Sequence, residues 1–526
     1  MNDIEVTQTP DGGQHAPLLS TTSDLLETML MYDDREQFLA KAQETPLQHN
    51  LKLFGACNDH GETIFHQLAG TKYRGRILWI LECVAQDERP SILLKTANNG
   101  QTALHTLADN AQLVLILCIL EMVNASAVLS LLRSTNACGN NVIHSITKCG
   151  EKRNLNFITD ILHIMSANEK LSLLKAYNDA EHTAIHLCLI NNDTELALCF
   201  LKSVAERDRL ALVKQQTRTG RTVMHIAVDQ NCQKTIQDIL DALPAAAKTA
   251  LLAVKTKSQR TACDLAVKRE FIGPLKALLP YTPCCETNIL HRAAMHNNAE
   301  AVKSILEEIA RDQLLNILMH QNQGGRTALH IAVRQCSLAT VTHIVSGLDK
   351  KERLSLFKVQ DCKGETVLHM AVNRKQTDIL EHILDSINLD DRIILMQIAN
   401  YDNQDTALHI AATKTRHTGL LKSLIDKAKP SHLLLDLVTT PNAQDRTVLQ
   451  NLLIDNSDLV NSLFNSLNPV DKLKLIGQRS QTEAYKILSH ATLNSSGETP
   501  SLYSSLNHLI LPLRHTFFCW KLLAIP

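Results

Sequence analysis

A four-residue unit, Thr-x-apolar-His, returns so regularly along this chain that it constrains the fold before any other feature. It stands at Thr63–His66, Thr102–His105, Thr183–His186, Thr222–His225, Thr327–His330, Thr366–His369 and Thr406–His409. Degenerate copies are Asn141–His144, Asn288–His291, Thr261–Asp264 and Thr447–Gln450. The fourth positions of the eleven copies are separated by 39, 39, 42, 39, 39, 27, 39, 39, 40 and 41 residues. Self-similarity at such a period describes one supersecondary unit stacked many times rather than one compact core. A chain of 526 residues also exceeds what a single core usually holds.

Each position of the unit has a physical reason. Thr opens nine copies and Asn two, and both are helix N-caps whose side-chain oxygen satisfies an orphan N–H of the first turn. A glycine stands two residues earlier in six copies (Gly61, Gly100, Gly139, Gly220, Gly325 and Gly364), where a tight turn needs positive φ. Small residues follow the His, as in Ile331-Ala332-Val333, so helices can approach closely. Amphipathic stretches such as Ala301–Leu306 then predict a second, antiparallel helix. Composition agrees: 44% apolar residues with only 4% aromatics suits stacked helices rather than β-sandwiches.

These residues resemble the ankyrin repeat, whose marker is T-P-L-H-x-A preceded by D-x-x-G. Asp361–Thr366 matches the leader and Thr327–Ala332 the helix start, although the marker proline is replaced throughout, mostly by Ala or Val. The resemblance covers roughly residues 51 to 460. It implies an all-α solenoid of about eleven repeats, with β-hairpin-like fingers projecting between layers. It also implies a non-catalytic scaffold that binds a protein through fingertips and the concave inner-helix face, surfaces not consumed by stacking. The matching tips are Asp59, His60, Asn98, Asn99, Asp179, Arg218, Lys257, Ser258, Gln323, Lys363, Asp402, Asn403 and Gln444, whose identities vary while the frame does not.

The period departs from the family's ~33 residues, and the surplus has a pattern of its own. A polar residue or Pro, a charge, then Leu-x-Leu-apolar recurs at Glu169–Leu174, Asp208–Val213, Glu352–Phe357 and Asp471–Ile476. It predicts an extra short helix in most repeats, and Pro90, Pro244, Pro430 and Pro469 favour a new helix over a longer outer one. The 27-residue step omits it, predicting a seam near residues 265 to 290. The expected organisation is a disordered tail (1–22), a helical cap (23–50), one sub-array over 51–280 and a second with its C-terminal cap over 281–490. A linker and apolar segment complete it over 491–526. That segment, with Phe517, Phe518 and Trp520, reads either as a fold-back cap or as a weak membrane or partner contact. Stretched, proline-poor repeats of this kind also resemble those of effectors from intracellular bacteria, which seize a host protein.

Little in the sequence points to chemistry. Nine of the 23 His occupy the marker, where the ring is expected to bond backbone of the adjoining turn rather than act as acid, base or ligand. No H-E-x-x-H, P-loop or G-x-S-x-G motif occurs. Cys284-Cys285 with His291 has the wrong spacing for a metal site, so no metal or cofactor is implied. With 53 Lys plus Arg against 54 Asp plus Glu, nucleic acid is not an expected partner. No apolar run spans a bilayer, the N-terminus is polar, and the 14 Cys are dilute, which predicts a monomeric protein of the reducing cytosol.

Overall fold

The computed structural model describes residues 34–43, 54–148, 155–282, 288–413, 418–428 and 431–455, and beyond them Val460, Leu463, Leu467 and Asp471. The expected tail, most of the N-terminal cap, Cys284 and Cys285, most of the expected C-terminal cap and the segment 491–526 lie outside the described residues. Regular structure among the described residues is helical, with two isolated bridges, Ala399 to Thr406 and Pro441 to Thr447. The chain divides into two compact units, one through Leu265 and one from Ala266 onward.

A layer of the first unit shows the local logic. The marker helix Val223–Asp229 starts at Thr222, whose hydroxyl and the third-residue ring of His225 form a reciprocal capping box. It ends after two turns at Asn231, φ 52°, from which Cys232 N–H reaches back to Ala227 O at 3.3 Å. That six-to-one bond is the Schellman closure, and it reverses the chain within two residues. The outer helix Gln233–Asp241 buries Ile236, Ile239 and Leu240 along one face. Pro244 then caps the third helix, Ala245–Leu252, and in the first layer Pro90 lies in the first turn of Arg89–Leu93.

Like packs on like, giving three columns. Marker helices Ile64–Ala69, Ala103–Asp109, Val142–Ile146, Ala184–Ile190 and Val223–Asp229 pack in succession. Outer helices Leu113–Glu121, Leu155–His163, Thr194–Lys202 and Gln233–Asp241 do the same. The predicted third helices form the remaining column, from Arg89–Leu93 through Ala125–Arg133, Ala167–Leu174 and Glu206–Val213 to Ala245–Leu252. Their burial falls on the last two apolar positions: Leu173, Leu174, Leu212 and Val213 are at most 1% exposed, whereas Leu171 and Leu210, the first Leu of the motif, are half-buried. Two fully buried side chains contribute about 3–6 kcal/mol, which holds a two-turn helix that could not persist alone.

The charge preceding those leucines has a role that its position in the sequence does not suggest. Arg89 Nε donates to Leu81 O at 2.8 Å and its Nη1 to Met122 O at 2.6 Å. Arg209 Nη1 reaches Ala242 O at 2.8 Å and Lys170 Nζ reaches Ser203 O at 3.2 Å. Each cation thus binds unpaired carbonyls at the C-terminal end of the next layer's outer helix, where the helix dipole favours positive charge. At the chain's start, helix Arg35–Gln43 lies against the outer helix Arg76–Glu82, with Phe38 6.2 Å from the Trp79 ring and Arg35 paired to Glu82 at 2.6 Å.

The second unit repeats this plan with one omission. The helix Ile272–Leu278 is followed by a single 3-10 turn, Leu279–Tyr281, and the next marker helix is Ile289–Met295. No third helix stands between them among the described residues. The three-helix layers then resume, with third helices Arg311–Met319, Lys350–Phe357, Leu389–Gln397 and Ser431–Thr439 packing in order. Arg353 makes the same clamp, to Val345 O at 3.1 Å and Ser386 O at 3.0 Å.

Candidate functional site

The fingers are tight turns closed from within. Asn58 Oδ1 accepts from His60 N–H at 3.0 Å and Glu62 N–H at 2.9 Å, while Asn58 N–H bonds Glu62 O. Asn136, Asn178, Asn322, Asp361 and Asn442 do the same in their fingers, and Thr217 and Thr256 substitute a hydroxyl that bonds only the later N–H. This explains the leader Asp or Asn of the repeat: it pre-folds the turn. The predicted glycines have φ between 70° and 78°. Four fingers reach the same conformation without glycine, through Glu181, Gln259, Gln404 and Asp445 at φ 53–57°.

All thirteen sequence-predicted tip residues are exposed: Asp59, His60, Asn98, Asn99, Asp179, Arg218, Lys257, Ser258, Gln323, Lys363, Asp402, Asn403 and Gln444. Their backbone, however, is engaged in stacking, which corrects the expectation that the tips are free of it. Within the first unit, Asn98 N–H bonds His60 O at 2.9 Å, Ala137 N–H bonds Asn99 O at 3.0 Å and Asp179 N–H bonds Cys138 O at 3.1 Å. Lys257 N–H bonds Thr219 O at 3.1 Å. In the second unit the bonds run from Cys362 to Gly324, Tyr401 to Lys363 and Ala443 to Asn403. One rung is missing among the described residues: no backbone bond joins Arg218 to the finger of Ala180, and Arg218 Nε instead pairs with Glu181 Oε1 at 3.4 Å. A Cβ at Gly220 or Gly364 would stand 2.6 or 2.5 Å from the next finger's N, so glycine provides close approach as well as positive φ.

Beneath the fingers lies the marker ring. In His225, Nδ1 accepts from Thr222 N–H at 3.2 Å, which places the ring hydrogen on Nε2. Nε2 donates to Arg260 O of the next finger at 3.1 Å. His66, His105, His144, His369 and His409 make the same pair of contacts, as the sequence predicts, whereas His186 keeps the Nδ1 bond but its Nε2 reaches Gln215 O, just ahead of the next finger, at 3.1 Å. His291 makes the forward bond to Arg326 O. His330 keeps its Nδ1 bond, but its buried Nε2 has no hydrogen bond of normal geometry; at that step Arg326 pairs with buried Asp361 at 3.2 Å. Burial lowers the pKa of all nine rings, to about 4 for His144, His186 and His330, because a cation there would lose its water. Rings that are kept neutral by burial and bond backbone across the layer act as layer ties.

A family model of ankyrin repeats, in three copies, matches residues 251–354. That stretch includes the short 27-residue step, and the marker, turn and tie seen there recur in the layers outside it. The chain carries ankyrin repeats. Ankyrin repeats generally mediate protein–protein interaction, and the ankyrin fold is typically a non-catalytic interaction domain. No curated protein matches the chain. Among solved structures it is similar to the ankyrin repeat domain of Bcl-3, described as a unique member of the IkappaB protein family. Identity is 17%, coverage 51% of this chain and 93% of that one, and the TM-score 0.30. None of the described helices is long and apolar enough to cross a membrane.

Two features of the ankyrin fingers escape a reading by tip position. Tyr401, beside Asp402 and Asn403, is 64% exposed, and exposed tyrosines serve as binding anchors. A groove of about 330 Å³ also opens between the fingers Thr217–Thr222 and Thr256–Thr261, lined by Arg221 and Arg260 as well as the predicted Arg218, Lys257 and Ser258. Its signal in the sequence is a shared pattern, Thr-cation-hydroxyl-x-Arg-Thr, in two consecutive copies.

Proposed function

We propose that the chain is a non-catalytic scaffold that binds a protein partner through the side chains of its fingertips and the adjoining marker-helix face. One observation carries this reading: the tips are stitched together through backbone while thirteen side chains of varied identity stay exposed. A row pre-ordered in this way loses little conformational entropy on binding. Tyr401 supplies an anchor of the type that dominates interfaces. Eight of the nine marker rings bond backbone of the next layer through Nε2, a use within the frame that supports a non-catalytic reading. A monomeric, cytosolic protein belongs to the same proposal. A narrower version, motivated by the stretched, proline-poor repeats, is an effector that diverts a host protein.

Affinity capture followed by mass spectrometry identifies the partner, and alanine substitution of the tips in groups then tests the surface. The expected result is loss of the captured protein with the melting temperature unchanged. Capture that survives every tip substitution would reject the proposal. Cell fractionation of the intact chain tests the cytosolic placement, which a membrane-bound fraction would contradict.

A further inference from the structure

The chain is neutral overall, yet its cations are not spread evenly over the fingers. The fingers beginning at Asn58, Ala97, Asn136 and Asn178 hold no Lys or Arg, and those beginning at Asn322, Asp361 and Asn442 hold one each. The neighbouring fingers Thr217–Thr222 and Thr256–Thr261 hold two each, at matching positions: Arg218 with Arg221, and Lys257 with Arg260. All four line the groove of about 330 Å³, together with Thr219 and Ser258, whose hydroxyls bond those of Thr217 and Thr256 at 3.1 and 3.0 Å. The backbone bond from Lys257 N–H to Thr219 O sets the two fingers side by side, so the four cations face a common space.

Their engagement differs. Arg221 Nη1 binds Asp229 Oδ2 at 2.6 Å, and Arg218 is weakly held by Glu181. The side chains of Lys257 and Arg260 make no ion pair or hydrogen bond among the described residues, and neither Asp229 nor Glu181 lines the groove. Positive charge is therefore gathered in a concave site with two cations uncommitted, an arrangement that concentrates field lines on an anion. Binding one would not require breaking an existing pair. The Arg fork matches carboxylate and phosphate oxygens, and hydroxyls beside it add neutral donors.

We propose that these two fingers form a binding site for an oxyanion side chain, a carboxylate or a phosphate, carried on an extended segment of a protein partner. The proposal rests on the reading of the fingers as a protein-binding surface and names the chemistry that one part of it recognises. A nucleic acid is disfavoured because it demands a long track of phosphate contacts, and no other pair of adjacent fingers continues the positive charge.

Fluorescence anisotropy on the full chain tests this with labelled peptides of one Gly/Ser framework bearing at their centre Glu-Glu, phosphoserine-Glu or Gln-Gln. Both anionic peptides are expected to bind in a salt-sensitive way and the Gln-Gln peptide not to bind, the tighter of the first two identifying carboxylate or phosphate as the preferred source. Lys257→Ala combined with Arg260→Ala should weaken binding roughly tenfold or more. Lys202→Ala with Lys234→Ala, two exposed cations on outer helices, should leave it unchanged, with both variants melting like the parent chain. Absence of binding by either anionic peptide, equal loss in both variants, or tighter binding of a single-stranded oligonucleotide would overturn the proposal. Failure here is separable from failure of the broader reading. A native partner lost on substitution of other tips but retained by the Lys257/Arg260 variant removes only this site. A partner insensitive to all tips removes both.

Discussion

A neutral imidazole buried between two layers makes the stack sensitive to acid at the scale of single residues. The marker rings have a pKa below the ordinary 6.5, about 4 for His144, His186 and His330, chiefly because burial disfavours the cation. The unfolded chain therefore binds more protons than the folded one between these values. The rings' contribution is fully present above pH 6.5, declines as pH falls toward 4 and is flat below. Each of those three rings then weakens folding by about 3 kcal/mol at pH 4. Melting temperatures measured from pH 7 to pH 4 should fall through this window, and a constant value would contradict the assignment. Left-handed residues give a second prediction. Lys375, at φ 61°, closes a marker helix as the Schellman residue, with Gln376 N–H bonded to Ala371 O at 3.0 Å. Lys375→Gly should stabilise by about 0.5–1 kcal/mol, since relief of the side-chain clash exceeds the entropy lost. Gly364→Ala should destabilise by about 2–3 kcal/mol, because its new Cβ would meet Tyr401 N at 2.5 Å. Urea titration of both reads the signs, and a destabilised Lys375→Gly would refute the first. The sequence made the glycine turns legible because glycine announces positive φ. It hid Ala111, Glu270, Cys336 and Lys375, since nothing in such side chains signals the left-handed region.

Among elements, the third helix distinguishes this chain, and its existence is legible from the recurring Leu-x-Leu pattern because period and burial coincide. Which leucines face inward is not, since a two-turn helix offers too few positions to define a face. Leu212 and Val213 are buried and Leu210 is not. Leu212→Ala should therefore cost about 2–5 kcal/mol, and Leu210→Ala distinctly less. Equal losses in chemical denaturation would show that the helix docks differently. The charge before the leucines reads from sequence as a solvated residue. It is a tie, because carbonyls exposed at one helix end can only be located once the next layer is in place. Arg209→Met keeps the aliphatic stem but abandons Ala242 O, so a loss of about 1–3 kcal/mol is expected. A neutral effect in the same denaturation assay would reduce the clamp to a surface contact.

At the level of the whole molecule, the repeated architecture was legible across most of the chain because one motif recurs often enough to exclude chance. The candidate surface was legible only in part. Tip positions follow from their offset to the marker, so all thirteen exposed residues could be named, whereas the groove depends on two fingers lying side by side. Arg221 and Arg260 sit next to the marker Thr in sequence, which assigns them to the frame until the structure shows them lining one groove with Lys257. The two compact units, one through Leu265 and one from Ala266 onward, are expected to unfold as separate cooperative blocks, as repeat arrays do where nearest-neighbour coupling weakens. Urea unfolding followed by circular dichroism should then resolve two transitions, and a single one would contradict it. Adjacent fingers are joined through backbone while their side chains remain available. Amide hydrogen exchange measured residue by residue addresses this without knowledge of any partner. Asn98, Ala137, Asp179, Lys257, Cys362, Tyr401 and Ala443 should be protected despite lying in turns, and Arg218, where the rung is missing, should exchange rapidly. Uniformly fast exchange at all eight amides would mean that the fingers are not stitched together.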